Sequence, residues 1–282
     1  MIDLDQRLAP ERLLGVVRRQ LKQVAKALDP RWPPRDAAVH DARKRLKKAR
    51  AALRLARPVL GERRFARNNQ RLRDAGRPLS ALRDAAMLLT LWKRMQSGRA
   101  RPPAARIVRT ALLAHYRSVR HRALGGPVHR AVTQALQATR ADARGSIGDA
   151  ANRRGGLRRI YRQGRRALAA ARQRPTPAQL HEWRKQTKYL YLALDIVGAA
   201  AVRDRGLARR VHDLSDVLGR VHDLHVLHTR LADPRVPLQP HDRRAILAAL
   251  DARMLAGRQR ALRAGAVIYR RRPRAFAARL PR

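Results

Sequence analysis

The sequence predicts an all-α protein made of two four-helix bundles related by internal duplication, with a basic groove or channel between them. Three observations predict it. Ala, Leu and Arg, all good helix formers, dominate every long segment, and no alternating run of β-branched residues is found. Pro and Gly clusters cut the chain into helix-length pieces. A cationic motif near the N-terminus returns roughly 140 residues later, the signature of a repeat.

The breakers order the elements. Asp29-Pro30 to Pro33-Pro34, Gly61, Gly98 to Pro103, Gly125-Gly126-Pro127, Gly145 to Gly156, Pro175 to Pro177, Asp233 to Pro240 and the tail from Gly265 leave helical segments between them. These run over 10–28, 35–60, 62–97, 102–124, 128–144, 156–173, 177–199, 203–232 and 240–263. Pro78 is expected to kink the third segment or split it in two. Residues 1–125 and 156–264 then form the two bundles. Residues 126–155 connect them, and 265–282 form a basic tail read as a disordered anion-clamping arm.

Composition bounds the function. The 282 residues carry 66 Lys+Arg against 20 Asp+Glu, a formal net charge of +46, and such a chain repels itself unless a polyanion or dense counterions relieve it. Hydrophobic residues make up 45%, enough for a real core, so wholesale disorder is not expected. Aromatics at 4% argue against a base-stacking surface. With no cysteine, disulfides, thiolate nucleophiles and cysteine-type zinc sites are excluded. No secretory leader is visible at Met1–Asp5, and no apolar run approaches the ~18 residues of a membrane span. A cytoplasmic protein without membrane contact is expected.

The segment 35–60 shows the pattern best. Val39, Ala42, Leu46, Ala49, Leu53, Ala56 and Leu60 recur at helical spacing and form an apolar stripe. His40, Arg43, Lys44, Lys47, Arg50 and Arg54 form a second stripe, about 5–6 Å between neighbours along the axis. Between Asp41 and Glu62 no carboxylate offsets it. Like charges at this spacing destabilise a helix, so an anion is expected on this face. The plainest alternative is a solvated basic face, and the repeat argues against it. His40-Asp41-Ala42-Arg43-Lys44-Arg45-Leu46-Lys47 returns as His181-Glu182-Trp183-Arg184-Lys185-Gln186-Thr187-Lys188. Leu79 to Asp84 resembles Leu218 to Asp223, and Arg120 to Leu124 matches Arg258 to Leu262, in the same order and at nearly the same offset. Only eight of the basic residues are lysine, and Lys44, Lys47, Lys48, Lys185 and Lys188 lie in or beside the two copies.

The twin H-x-x-R-K-x-x-K motifs, Leu218-Gly219-Arg220-Val221-His222-Asp223-Leu224, and Gly156 to Arg162 resemble the CHAD family, the conserved histidine α-helical domain. The resemblance spans residues 5 to 263. It implies two symmetric four-helix bundles and a non-enzymatic role, the binding of inorganic polyphosphate at a basic central surface, with association with cytoplasmic polyphosphate granules. One departure is Arg83-Asp84 in the first half, where the second has His222-Asp223.

Arginine forks, mobile lysine charges and histidine N–H groups suit phosphate oxygens. The expected polyphosphate contacts are His40, Arg43, Lys44, Lys47, Arg50 and Arg83 from the first half. The second half contributes His181, Arg184, Lys185, Lys188, Arg220 and His222. Arg54 is a weaker member. The pairs His222-Asp223 and His212-Asp213 raise a metal reading, but adjacent helical residues point about 100° apart and Arg83 replaces His222 in the other copy, so no metal and no cofactor are expected. Asp84 and Asp223 are read either as carboxylates that orient a neighbour toward phosphate or as structural ion pairs. His225 and His228 extend the His222 cluster, with at least one partly buried. His115, His121, His129 and His241 are read as surface residues. Trp183, Tyr189 and Tyr191 are read as core or core-edge anchors. Arg158, Arg159, Arg162, Arg165 and Arg166 make a basic helix face without an assigned use. An RNA- or DNA-binding protein is the alternative function, although no helix-turn-helix, RNP-like motif or aromatic ladder appears. A phosphoanhydride hydrolase would need convergent carboxylates for magnesium, and none are apparent.

Overall fold

In the computed structural model the described residues are 6, 8–28, 36–96, 103–123, 126–142, 154–198, 204 and 206–278. Among them the chain forms ten α-helices and no strand. In order they are α1 (Pro10–Ala27), α2 (Asp36–Leu60), α3 (Glu62–Met95), α4 (Pro103–Ala123) and α5 (Gly126–Asp142). After them come α6 (Gly155–Gln173), α7 (Pro177–Val197), α8 (Leu207–Ala232), α9 (Pro240–Ile268) and α10 (Pro273–Ala278). The N-terminal Met1–Asp5, Leu124 of the third repeat match, most of the Gly-rich linker and the side chain of His129 lie outside the described residues.

The expected apolar stripe of α2 is buried from Val39 through Leu60. It meets Leu13, Val17 and Leu21 of α1 and Leu72, Leu79 and Leu82 of α3 in one core, which continues into Leu157, Ile160, Trp183, Leu190 and Leu218 of the second half. A second cluster joins Leu88, Trp92, Val108 and Leu112 to Leu224, Leu227, Leu231 and Leu250. Both cores thus draw on both halves of the chain. Within each half most helices pack on their sequence neighbours, but α5 packs on α1 and α3 and α10 packs back on α6; between the halves α2 packs on α6 and α7, while α3 packs on α8. The two helices bearing H-x-x-R-K-x-x-K therefore touch each other directly. At the α2–α6 crossing a Cβ on Gly156 would collide with the carbonyl of Leu55, so only glycine permits this approach.

One expectation is narrowed and one is corrected. Of the two outcomes expected at Pro78, a kink or a split, the split does not occur, because α3 runs unbroken from Glu62 to Met95. Ala75, Leu79 and Leu82 around the proline are buried in the main core, and that packing outweighs the hydrogen bond that proline removes. The residues from 265 to 278 are not a free arm either. α9 continues to Ile268, and a further helix, α10, follows it. Phe276 stacks on Tyr161 of α6, ring centroids 4.0 Å apart and planes 3° from parallel. The Tyr161 hydroxyl donates to the carbonyls of Ile268 and Arg271, and Tyr269 is buried beside Gly164. Aromatic burial of this kind overrides the local charge of Arg270–Arg272.

Candidate functional site

Arg43 anchors the site. Its apolar neighbours Ala42 and Leu46 hold that side of α2 in the core, so the guanidinium is drawn inward to 8% exposure. There Nη1 donates to the carbonyls of Leu79 (3.2 Å) and Ser80 (2.7 Å) on α3, and lies 3.6 Å from Asp84 Oδ1. Burial lowers this guanidinium to about 10, against the pull of Asp84 and Asp223, with Arg83 and Arg184 pushing the same way as burial. Arg184 of α7 is likewise lowered, first by burial, while Asp223 and Asp84 favour its charge. Asp223 itself is raised by burial, and Arg83 and Arg184 oppose that rise. Arg43, Arg83 and Arg184 therefore surround Asp84 and Asp223 at the junction of α2, α3, α7 and α8. The expected stripe is thus compensated at its centre, and Asp84 makes an ion pair with Arg43 rather than orienting a histidine.

Around this centre the cations are in excess. Lys47, one turn beyond Arg43, falls to about 7, mainly through burial and then through repulsion by Arg43 and Arg184, with Lys188 adding to it. Lys188 is lowered by burial; Asp216 favours its charge, while Arg184 and Lys44 oppose it. Its ammonium stands 4.7 Å from the centroid of the Tyr191 ring. The histidines join the same field. His181 and His222 face each other with ring centroids 4.9 Å apart. His222 is depressed to about 3 by burial and then by Arg184, His181 and His225. His181 is lowered by burial, then by Arg184 and Lys185. His40 is exposed but is lowered by its partial desolvation and by Arg83, Lys44 and Arg43. At neutral pH all three imidazoles are neutral and donate a single N–H each.

The remaining expected residues divide. Lys44 is exposed beside the cluster, across from Lys188. Lys185 is half-buried and ion-paired with Glu182, which also accepts a hydrogen bond from Gln186. Arg50 is turned along α2, donating to Asn69 (3.1 Å) near the Tyr189 ring. Arg54 lies over that ring at 3.7 Å and is lowered by burial to about 10. Arg220 is exposed on α8 and takes no part in these contacts. Lys48 of α2 bridges to Asp195 of α7 at 2.7 Å, which ties the two motif helices together.

A cleft of about 280 Å³ opens between α2 and α3. Arg43, Lys47 and Arg50 line it, joined by Arg73 and Arg77 of α3, with Leu46, Leu72 and Gly76 forming its apolar wall. Arg73 and Arg77 were not among the expected site residues. They lie on the same face as Asp84, three and two turns earlier, and extending the Arg83-Asp84 position back along that face finds them.

Trp183 is fully buried and Tyr189 is 4% exposed, while Tyr191 is half-buried against the edge of His212. His225 and His228 are both partly buried, and His228 Nε2 lies 3.4 Å from Asp251 Oδ1. His115 is half-buried rather than on the surface, with its pKa lowered by burial and by Arg230. Among the described residues no group of three or more His, Asp or Glu is placed to hold a metal ion, and no helix is long and apolar enough to cross a membrane.

A family model described as CHAD domain matches residues 15–232. The chain is similar to the crystal structure of the CHAD domain from the plant Ricinus communis, at 20% identity and a TM-score of 0.64, covering 95% of this chain and 92% of that one. It is also similar to PptA from Streptomyces chartreusis, at 16% identity and a TM-score of 0.59, covering 92% of this chain and 96% of that one. At such identities these two likenesses speak for the fold alone. No curated protein matches the chain.

Proposed function

Given that the chain belongs to the CHAD-domain family, we propose that it binds inorganic polyphosphate at the α2–α3–α7–α8 junction and acts by binding alone. The single observation that carries this reading is the direct packing of the two motif helices. It brings Arg43 and Lys47 within electrostatic reach of Arg184 and Lys188, with Asp84 and Asp223 as the buried counter-charges. Two internally related bundles, 1–125 and 156–264, then work as one unit whose shared groove receives the polymer.

The mechanism follows from the charges. Arg43 is committed to α3 carbonyls and Asp84, so it sets the local field and positions the helices rather than gripping the ligand with its full fork. Lys44, Lys47 and Lys188, with Arg83 and Arg184, supply cations to phosphate oxygens, and His40, His181 and His222, whose pKa values are lowered in the free protein, donate N–H groups and take up protons as the polymer binds. Arg50, Arg73 and Arg77 continue the track along the cleft. Each phosphate neutralised releases counterions, so affinity grows with chain length and falls with salt. A polymer present as dense cytoplasmic granules would recruit the protein by the same term.

A competition experiment tests the reading. Long polyphosphate is expected to displace duplex DNA and RNA at matched phosphate concentration. Displacement in the opposite sense replaces this proposal with nucleic-acid binding. Steady phosphate release that depends on magnesium would overturn the non-enzymatic part.

A further inference from the structure

We propose that the cleft between α6 and the α9–α10 junction is a second anion site, separate from the α2–α7 cluster, which takes a short chain of phosphates, free or carried on a nucleoside. The cleft measures about 540 Å³. Arg162, Arg165, Arg166 and Arg172 line it from α6, and Arg270 lines it from the opposite wall. The four α6 arginines recur at helical spacing on one face, and a rise of 1.5 Å per residue spreads them over about 15 Å. All four are exposed.

Unpaired arginines are common in a chain of net charge +46. What sets these five apart is that the fold gathers them around a concavity and fixes both walls. Tyr161, on the same helix, holds the far wall, because its hydroxyl bonds Ile268 and Arg271 on either side of Arg270 and its ring stacks on Phe276. Arg165 Nε donates to the Tyr269 carbonyl at 3.3 Å, which steadies that side chain and leaves its terminal nitrogens for a ligand. Among the described residues no carboxylate pairs with any of the five. Leu168, Ala169 and Ala266 add apolar side chains to its lining.

Guanidinium forks match phosphate oxygens two at a time, and four of them in a row fit a chain of phosphates better than a single one. The site shares no residue with the α2–α7 cluster. Tyr269, Arg270 and Pro273 also lie beyond residues 15–232, the part matched by the family model.

Calorimetric titration of the full chain with inorganic tripolyphosphate, and separately with ATP, tests this. The proteins compared are the unmodified chain, Arg162→Gln/Arg166→Gln/Arg172→Gln, and Lys44→Glu/Lys185→Glu. The triple variant removes exposed, mutually repelling charges and is expected to melt no lower than the parent. It is expected to lose one class of tripolyphosphate binding by at least tenfold, while Lys44→Glu/Lys185→Glu keeps that class. ATP binding tighter than tripolyphosphate, and lost in the same variant, assigns the site to a nucleotide; equal binding assigns it to free condensed phosphate. A triple variant that titrates like the parent overturns the proposal, as does a uniform small weakening at every site. Failure of the central reading shows separately, as undiminished long-polyphosphate binding by Lys44→Glu/Lys185→Glu.

Discussion

His181 of α7 and His222 of α8 hold their rings 4.9 Å apart at an angle of 51°, and desolvation beside Arg184 pushes both imidazoles below their ordinary pKa. A bare pair of imidazolium ions could not sit so close. A polyanion laid across them would supply the counter-charge, so the proposed occupancy of this site and its protonation would be linked.

Binding is therefore expected to take up protons. His40, His181 and His222 have lowered pKa values in the free protein, and Lys47 stands at about 7. A bound phosphate chain raises all four. Affinity then falls as pH rises through two windows: from the lowered histidine values up to their bound values, and from about 7 upward for Lys47. Titration in buffers of different ionisation enthalpy counts the protons; a pH-independent affinity between 5 and 9 contradicts this linkage.

Lys44→Glu combined with Lys185→Glu is expected to leave the far-UV circular dichroism unchanged, since Lys44 is exposed and Lys185 only half-buried. Placing a carboxylate beside Glu182 costs roughly 0.2–0.5 kcal/mol, small against the whole fold. Polyphosphate affinity should drop at least tenfold. Undiminished binding moves the site elsewhere.

Lys47→Met separates stability from function. In the folded protein Lys47 binds its proton less tightly than the unfolded chain does, so its contribution destabilises fully below pH 7 and disappears above the ordinary lysine value. The variant should melt higher than the parent at pH 6–7 and lose that advantage near pH 10. At the same time it should bind polyphosphate more weakly. Thermal unfolding at the two pH values checks the sign.

Gly156→Ala should destabilise by about 1–3 kcal/mol, because the added methyl meets the Leu55 backbone rather than a flexible side chain. Gly219→Ala is the control, since a Cβ there meets nothing within 4 Å and alanine favours the interior of α8. The first variant should melt lower than the parent, the second at the same temperature or higher.

The helices were legible in the sequence because Ala, Leu and Arg mark their faces and Pro and Gly mark their ends. α10 was not, because Phe276 and Tyr269 sit beside Arg270–Arg272 and only the distant ring of Tyr161 reveals why they dock. At Pro78 the local residues leave a kink and a split equally open, and the long-range burial of Leu79 and Leu82 decides against the split. The site's cations were legible because the motif occurs twice. Their balance was not, since the pairing of Arg43 with Asp84 depends on how deeply α2 sinks against α3. Arg73 and Arg77 stand outside both copies of the motif, on the face that leads back from Arg83-Asp84, and it is the cleft that joins them to Lys47.

The position of Lys47 also makes it a chemical handle. An amine that sheds its proton near neutrality is a nucleophile, whereas ordinary surface lysines stay masked as ammonium ions. Because Lys47 also lines the cleft between α2 and α3, acylation of its amine at pH 7 is expected to slow when a polymer occupies that cleft. The extent of acylation at this one residue would then report how full the protein is.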